Sequence, residues 1–354
     1  ITGITNGNII KCTNYSSVSS YSANVEEWAI GGISGGSYSL GKIEQCINYG
    51  TIVGLKYVGG IVGVNWCYTL NCYNVGTVKS NNTQNYIYIA GIVGYQNLEN
   101  GRLENCYNIG KIEGNSNADS IAEIIGGYEK GIVNNCYYLD KNNNLKGIYY
   151  NDFTTSWRQD VPGQAEVRSS EFMKSKYFIK ELGEENWKIA SGVNDGYPIL
   201  TWQAGEKIEP EFETVSTAQA LKDMAHIVND IGETFEGKTV TQQNNIDLST
   251  VCSETLGNWT PIGDYGTNTN LYFAGTFEGN GNTISNLYIN ASENDYQGLF
   301  GYTNHATVTN LIIESIKILG RYNIGSIIGV DADSSRIYNT HIRSGELIGS
   351  GCVG

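Results

Sequence analysis

Short apolar runs alternate with glycine, asparagine and polar turns along nearly the whole chain, a pattern that predicts many brief strands and few helices. The clearest phrase is Gly59-Gly60-Ile61-Val62-Gly63, a loop, then Leu70-Asn71-Cys72-Tyr73-Asn74-Val75-Gly76-Thr77-Val78. Its first half returns as Gly32-Ile33-Ser34-Gly35, Gly91-Ile92-Val93-Gly94 and the degenerate Glu123-Ile124-Ile125-Gly126, in steps of 28, 31 and 32 (32→60→91→123). Its second half returns around Cys12, Cys46, Cys106 and Cys136. A period near 30 made of β-type runs predicts one solenoid coil per repeat, with two or three strands each, stacked in parallel about 4.8 Å apart. The bracketing glycines are expected at positive φ in the coil corners. Asn14, Asn48, Asn74 and Asn108 form a column that predicts a side-chain ladder, and asparagine also tolerates the left-handed region.

The pattern dissolves after Tyr138. Ser169 to Leu182 places Phe172, Met173, Phe178 and Leu182 at helical intervals behind serines that can cap a helix. With Trp187 and the turn Asn194-Asp195-Gly196-Tyr197-Pro198, residues 141–210 read as a closing segment and linker, the helix and tryptophans covering the last coil. Beyond it, Ser216 and Thr217 open an amphipathic helix over Ala220 to Val228, and the phrase resumes as Gly298-Leu299-Phe300-Gly301 and Ser326-Ile327-Ile328-Gly329, 28 residues apart (298→326). The expected organisation is therefore all-β: the last coils of one parallel, right-handed β-solenoid over 1–140, the closing segment over 141–210, and the helical cap and first coils of a second solenoid over 211–354.

Composition narrows the function classes. Charged residues make up 16% of 354 residues, and the net charge of −14 leaves no basic stripe to neutralise phosphates, so nucleic acid is not expected as a partner. No apolar run in the sequence reaches bilayer length. Beginning at Ile1 in mid-motif, the chain reads as a monomeric piece of a longer secreted protein, its signal and anchor expected elsewhere.

The core Gly298-Leu299-Phe300-Gly301 resembles the GLUG repeat of bacterial cell-surface proteins. The lead-in resembles the segment before such repeats: Ile246-Asp247-Leu248, Trp259-Thr260-Pro261-Ile262-Gly263, and Phe277-Glu278-Gly279-Asn280-Gly281-Asn282-Thr283-Ile284. Asn194 to Leu200 resembles the segment that follows them. The resemblance covers about residues 1–140 and 235–354, and implies secretion and attachment to large adhesin-like proteins. GLUG repeats also occur beside the catalytic domain of immunoglobulin-A-cleaving metallopeptidases, with no catalytic residues of their own. Ser34 and Glu123 depart from the pattern.

Candidate chemistry is sparse. His226, His305 and His341 stand apart, without the two-histidine spacing of a zinc peptidase. Gly32-Ile33-Ser34-Gly35-Gly36 matches a nucleophile-elbow string, but Ser34 aligns with the core positions Val62, Val93 and Ile125. Asp331-Ala332-Asp333 lacks the remainder of a calcium loop. Cys12, Cys46, Cys72, Cys106 and Cys136 share a column that holds Leu287 and Leu311 later, which predicts buried thiols in an apolar slot. Tyr73, Tyr107 and Tyr137 are candidates for an exposed sugar- or protein-binding strip, with packing along the turn ladder the favoured reading. The reading is a non-enzymatic stalk or display scaffold with no cofactor. Its alternatives are a module for host glycans or proteins and, less favoured, a carbohydrate-active β-helix.

Overall fold

The computed structural model describes residues 1–20, 29–38, 41–80, 87–114, 120–141, 145–151, 158–160, 165–265 and 271–354. They form two compact units, Ile1–Arg168 with Phe178–Ile208, and Ser169–Tyr177 with Glu209–Gly354. Both are β-solenoids whose short strands pair almost entirely in parallel with their equivalents one coil on.

In the first unit the register Thr2↔Ser34↔Val62↔Val93↔Ile125 runs through five coils in steps of 32, 28, 31 and 32 residues (2→34→62→93→125). The third coil carries five strand segments rather than two or three: Tyr57–Gly59, Val62–Asn65, Tyr68–Leu70, Tyr73–Asn74 and Val78–Ser80. Connecting residues pair as well, because each extended stretch lies beside its copy and their backbone groups satisfy one another. Ile33, Ile61, Ile92 and Ile124 stack in the interior with Val62, Val93, Ile125 and the cysteine column. A second cluster holds Ile30, Ile52, Val58, Val78 and Ile89.

The coil corners are not turned by the bracketing glycines. Positive φ falls on the residue before each cysteine: Lys11, Gln45, Asn71, Asn105 and Asn135, between 48° and 55°. The second unit repeats this at Asn286, Asn310 and Asn339. A non-glycine residue there costs about 1 kcal/mol, least for asparagine, whose short side chain bonds locally. Asn14, Asn48, Asn74 and Asn108 do not share that conformation; they are strand residues and form the ladder itself. Asn14 Nδ2 donates to Asn48 Oδ1 at 2.7 Å, Asn48 to Asn74 at 2.8 Å and Asn74 to Asn108 at 2.8 Å. Asn48 also donates to Gly50 O at 3.0 Å and accepts from Gly50 N at 3.2 Å, so every hydrogen-bonding position of this buried amide is used.

The ladder explains the leading glycines. A Cβ on Gly32 would lie 2.5 Å from Asn48 Oδ1, one on Gly60 2.6 Å from Asn74 Cγ, and one on Gly91 2.1 Å from Asn108 Cγ. Glycine is required by close approach. The exception, Glu123, stands where no asparagine follows, since Tyr138 occupies the next rung opposite Asn108. The Glu123 carboxylate, fully buried, accepts from Asn108 Nδ2 at 2.5 Å and from Lys141 Nζ at 2.7 Å. It ends the ladder in place of a fifth amide.

The predicted helix over 169–182 is two short ones, α1 (Ser170–Met173), capped by Ser169, and α2 (Lys176–Leu182). In the first unit, Trp187–Ala190 pairs antiparallel with Ile199–Leu200 and Lys207–Ile208. This small sheet and Phe178 lie along the flank of the coils rather than across the last one. Contacts run from Gln45, which donates to Asn186 at 2.8 Å, to Arg168, which meets Glu181 at 3.3 Å.

In the second unit α3 (Ala218–His226) opens on Thr217, whose hydroxyl accepts from Ala220 N at 3.1 Å. Its coils align Thr239–Gln242, Thr276–Glu278, Thr307–Thr309 and Arg336–Tyr338, and Phe300 pairs with Ile328, 28 residues on (300→328). Glu211 is gripped by Lys176 at 2.5 Å, Lys238 at 3.1 Å and the Tyr177 hydroxyl at 3.0 Å. Burial pushes its carboxyl up, but these three donors outweigh burial and hold it at about 2. Among the described residues no helix is long and apolar enough to cross a membrane.

Gly60→Ala is expected to cost about 3 kcal/mol in urea denaturation, by overpacking against Asn74 and Gly91. Gly3→Ala, with nothing within 4 Å of the added Cβ, should leave the midpoint unchanged. The Glu211 contribution should be fully present above its ordinary value of 4.5 and fade as the pH falls toward 2. Glu211→Gln should therefore remove about 1 kcal/mol at pH 7 and flatten the acid limb of the stability profile, measured by thermal melts.

Candidate functional site

Tyr73, Tyr107 and Tyr137 do not form an exposed strip. Tyr73 and Tyr107 have no accessible surface and Tyr137 retains 5%. They point outward from the coils, as their alternation with the inward cysteines requires, but the flanking sheet covers them. Trp187 packs 5.8 Å from Tyr73 and 5.4 Å from Tyr107, and Phe178 meets Tyr137 edge-on at 5.1 Å. Their hydroxyls are occupied too: Tyr73 bonds Gln203 at 3.0 Å and Tyr107 bonds the Pro198 carbonyl and Asn194. Burial of the rings pushes the Tyr73 and Tyr107 hydroxyls well above the ordinary tyrosine range.

The cysteine column is similarly enclosed. Cys46, Cys72, Cys106 and Cys136 are buried, Cys12 is half-buried, and all are free thiols. Cys72 Sγ donates to Leu70 O at 3.2 Å and accepts from Cys46 N at 3.4 Å; Cys106 Sγ accepts from Cys72 N at 3.3 Å. Desolvation raises these thiols, Cys136 to about 12, so the thiolate that reacts or binds metal is disfavoured.

Ser34 is fully buried and donates to Gly36 O at 2.8 Å. His226 bonds Asp230 at 2.6 Å, while His305 sits 3.7 Å from Asp333. Asp331 accepts from Thr303 of the preceding coil at 3.2 Å and from Ser335 N within its own turn at 3.1 Å. Among the described residues no group of three His, Cys, Asp or Glu side chains is placed to hold a metal ion.

A different site emerges on the first unit. The closing glycines, Gly35, Gly63 and Gly94, stand where two strand segments run closest: a Cβ on Gly63 would lie 2.4 Å from Ile30 N, and one on Gly94 2.7 Å from Val58 N. Outward side chains from the two strands therefore converge. Tyr57 and Tyr88 stack at 5.6 Å, and Tyr95 meets them at 5.0 and 5.4 Å. One residue past the strand Val62–Asn65, Trp66 lies 4.3 Å from Tyr38 of the preceding coil and donates to Asn97 of the following one. Tyr95 donates to Glu129. Together with Gly3, Gly35 and Gly36, which contribute no bulk, Tyr38, Tyr57, Trp66 and Tyr95 line a groove of about 700 Å³. Tyr38, Tyr57 and Trp66 are half-buried, while Tyr95 and Tyr88 are buried and back the others, Tyr88 without lining the groove. Among the described residues Lys56 is its only charged lining residue.

Sequence reasoning missed this cluster. Its signal is faint: Tyr57 and Tyr88 each begin a strand just before the glycine phrase, while Tyr95 and Trp66 trail it by different distances. Aligned separately these are unremarkable outward positions. Only the bend that brings the two strands together makes them neighbours.

No family model matches the chain. It is 31% identical to a stretch of halomucin from Haloquadratum walsbyi over 140 residues, 37% of this chain and 2% of halomucin. The chain thus spans a small fraction of that relative. A crystal structure of a candidate immunoglobulin A1 protease from Bacteroides ovatus is similar at a TM-score of 0.38 and 20% identity, over 58% of this chain and 63% of that one.

The thiol environment sets an expected outcome. At pH 8 Ellman's reagent should react rapidly with exposed Cys352, more slowly with Cys12, and negligibly with the buried column over the same period. All eight cysteines should react in denaturant.

Proposed function

We propose that this chain is a non-catalytic solenoid region of a long, secreted, surface-attached protein, a rigid scaffold that carries loops or further domains away from the cell. One observation carries the reading: the groups that chemistry would use are consumed by the scaffold. The amides of the ladder bond one another, the column thiols bond carbonyls, and the tyrosine hydroxyls are held by the flanking sheet. A stack with backbone and side-chain ladders along its axis resists bending and local opening, which suits a spacer. The likeness to part of the much longer halomucin supports a repeat-bearing region of a large protein. The resemblance to GLUG repeats supports a bacterial surface setting.

Antibodies raised against this chain should label intact cells of the source organism. The purified chain should leave immunoglobulin A and a polysaccharide panel uncut over a day at micromolar concentration. Labelling only after lysis, or turnover abolished by changing one Asp or Glu, would overturn the scaffold reading.

A further inference from the structure

We propose that the aromatic groove on the outer face of the first unit binds a neutral, extended polysaccharide, with one sugar ring seated on Trp66 and its neighbours stepping along successive coils. Three features point to this class of ligand. The first is surface character. Tyr38 and Trp66 meet at 4.3 Å and 55°, and Tyr57 and Tyr95 at 5.0 Å and 32°. Rings packed on one another leave no parallel slot for a proline or an aromatic side chain to enter. The half-buried Tyr38, Tyr57 and Trp66 present their remaining surface instead, backed by the buried Tyr95. The C–H faces of a pyranose carry partial positive charge and stack on the electron-rich faces of such rings.

The second feature is spacing. Gly3, Tyr38, Trp66 and Asn97 come from four successive coils, which rise by about 4.8 Å each, close to the length of one sugar in an extended β-linked polymer. A polymer laid along the solenoid axis would keep register with the coils. The glycines at one end of the groove leave its floor open for that course.

The third feature is polarity. The hydrophobic platform is edged by Asn97, whose Oδ1 accepts from the Trp66 indole, and by the phenol of Tyr57 and the ammonium of Lys56. These are hydroxyl-binding groups in a small number, as ligand sites use them. Among the described residues no carboxylate lines the groove, Glu129 being taken up by the Tyr95 hydroxyl, and a chain of net charge −14 repels a polyanion at long range. A neutral saccharide fits; an acidic one does not. The scaffold reading stands whether or not this groove is filled, because it is tested by turnover and by surface labelling.

The test is titration calorimetry of the whole chain with cellohexaose, chitohexaose, xylohexaose and mannohexaose, with polygalacturonate and a proline-rich peptide as comparison arms. Binding to at least one neutral hexaose, little changed between 50 and 500 mM salt as expected for an uncharged ligand, is the expected result. Trp66→Ala should weaken it at least tenfold in a chain that still folds, and Trp66→Phe should retain most of it. Should Trp66→Ala fail to fold, the indole N–H resonance of Trp66 in the unaltered chain, assigned through Trp66→Phe, should shift on adding the hexaose. Absence of binding by all four neutral hexaoses at millimolar concentration would overturn the proposal. So would binding indifferent to Trp66, an indole resonance that does not move, or binding of polygalacturonate or the peptide alone.

Discussion

The first unit depends on a lock between two columns of side chains. Asparagine amides run through the interior as a hydrogen-bonded ladder, and the glycines at 32, 60 and 91 leave the volume those amides fill. Neither column can change alone. A methyl group on the glycines would collide with the amides, and loss of an amide would strand its partners, which costs about 1–3 kcal/mol for each buried polar group left unpaired. This lock tolerates variable loops: ladder rungs are separated by 34, 26 and 34 residues (14→48→74→108), yet neighbouring amides remain 2.7–2.8 Å apart.

The same lock determines how the array ends. Where the fifth asparagine is missing, a glutamate takes the leading glycine's place and its carboxylate receives the last amide proton, neutralised by Lys141. Burial lowers the Lys141 ammonium, while the Glu123 carboxylate opposes that shift. An unpaired carboxylate at this depth would be prohibitively costly; paired and hydrogen-bonded, it terminates the ladder without an orphan group. What reads as a degenerate repeat is a terminator.

These constraints divide the surface from the interior in a way that bears on function. Thiols, amides and the tyrosines of the ladder strand are committed to packing, and the flanking sheet withdraws the outward face of that strand from solvent. Another outward face, at the glycine bend, keeps Tyr38, Tyr57 and Trp66, rings from neighbouring coils, half-buried at a groove. A repeat scaffold thus yields a site by where it bends, since the same few outward positions recur every coil and a bend gathers them.

The coil period, parallel stacking, inward cysteine column and asparagine ladder were legible in the sequence, because each is a nearest-neighbour property: a residue in one coil faces its own copy in the next. The interchange of Cys72 with Leu287 and Leu311 was enough to identify a packing slot. The glycines were recognised but for the wrong reason, since positive φ and close approach leave the same residue in the sequence and differ only in what lies opposite. That Tyr73 and Tyr107 pack was the favoured reading, but what they pack against was not legible. Whether an outward ring meets water is decided by Trp187, more than 70 residues beyond either ring in sequence, and no local pattern records that contact. The groove around Trp66 likewise exists only because two strands converge. The sequence alone determined what repeats from coil to coil; the tertiary structure decided which repeated faces stay open, because that depends on segments outside the repeat.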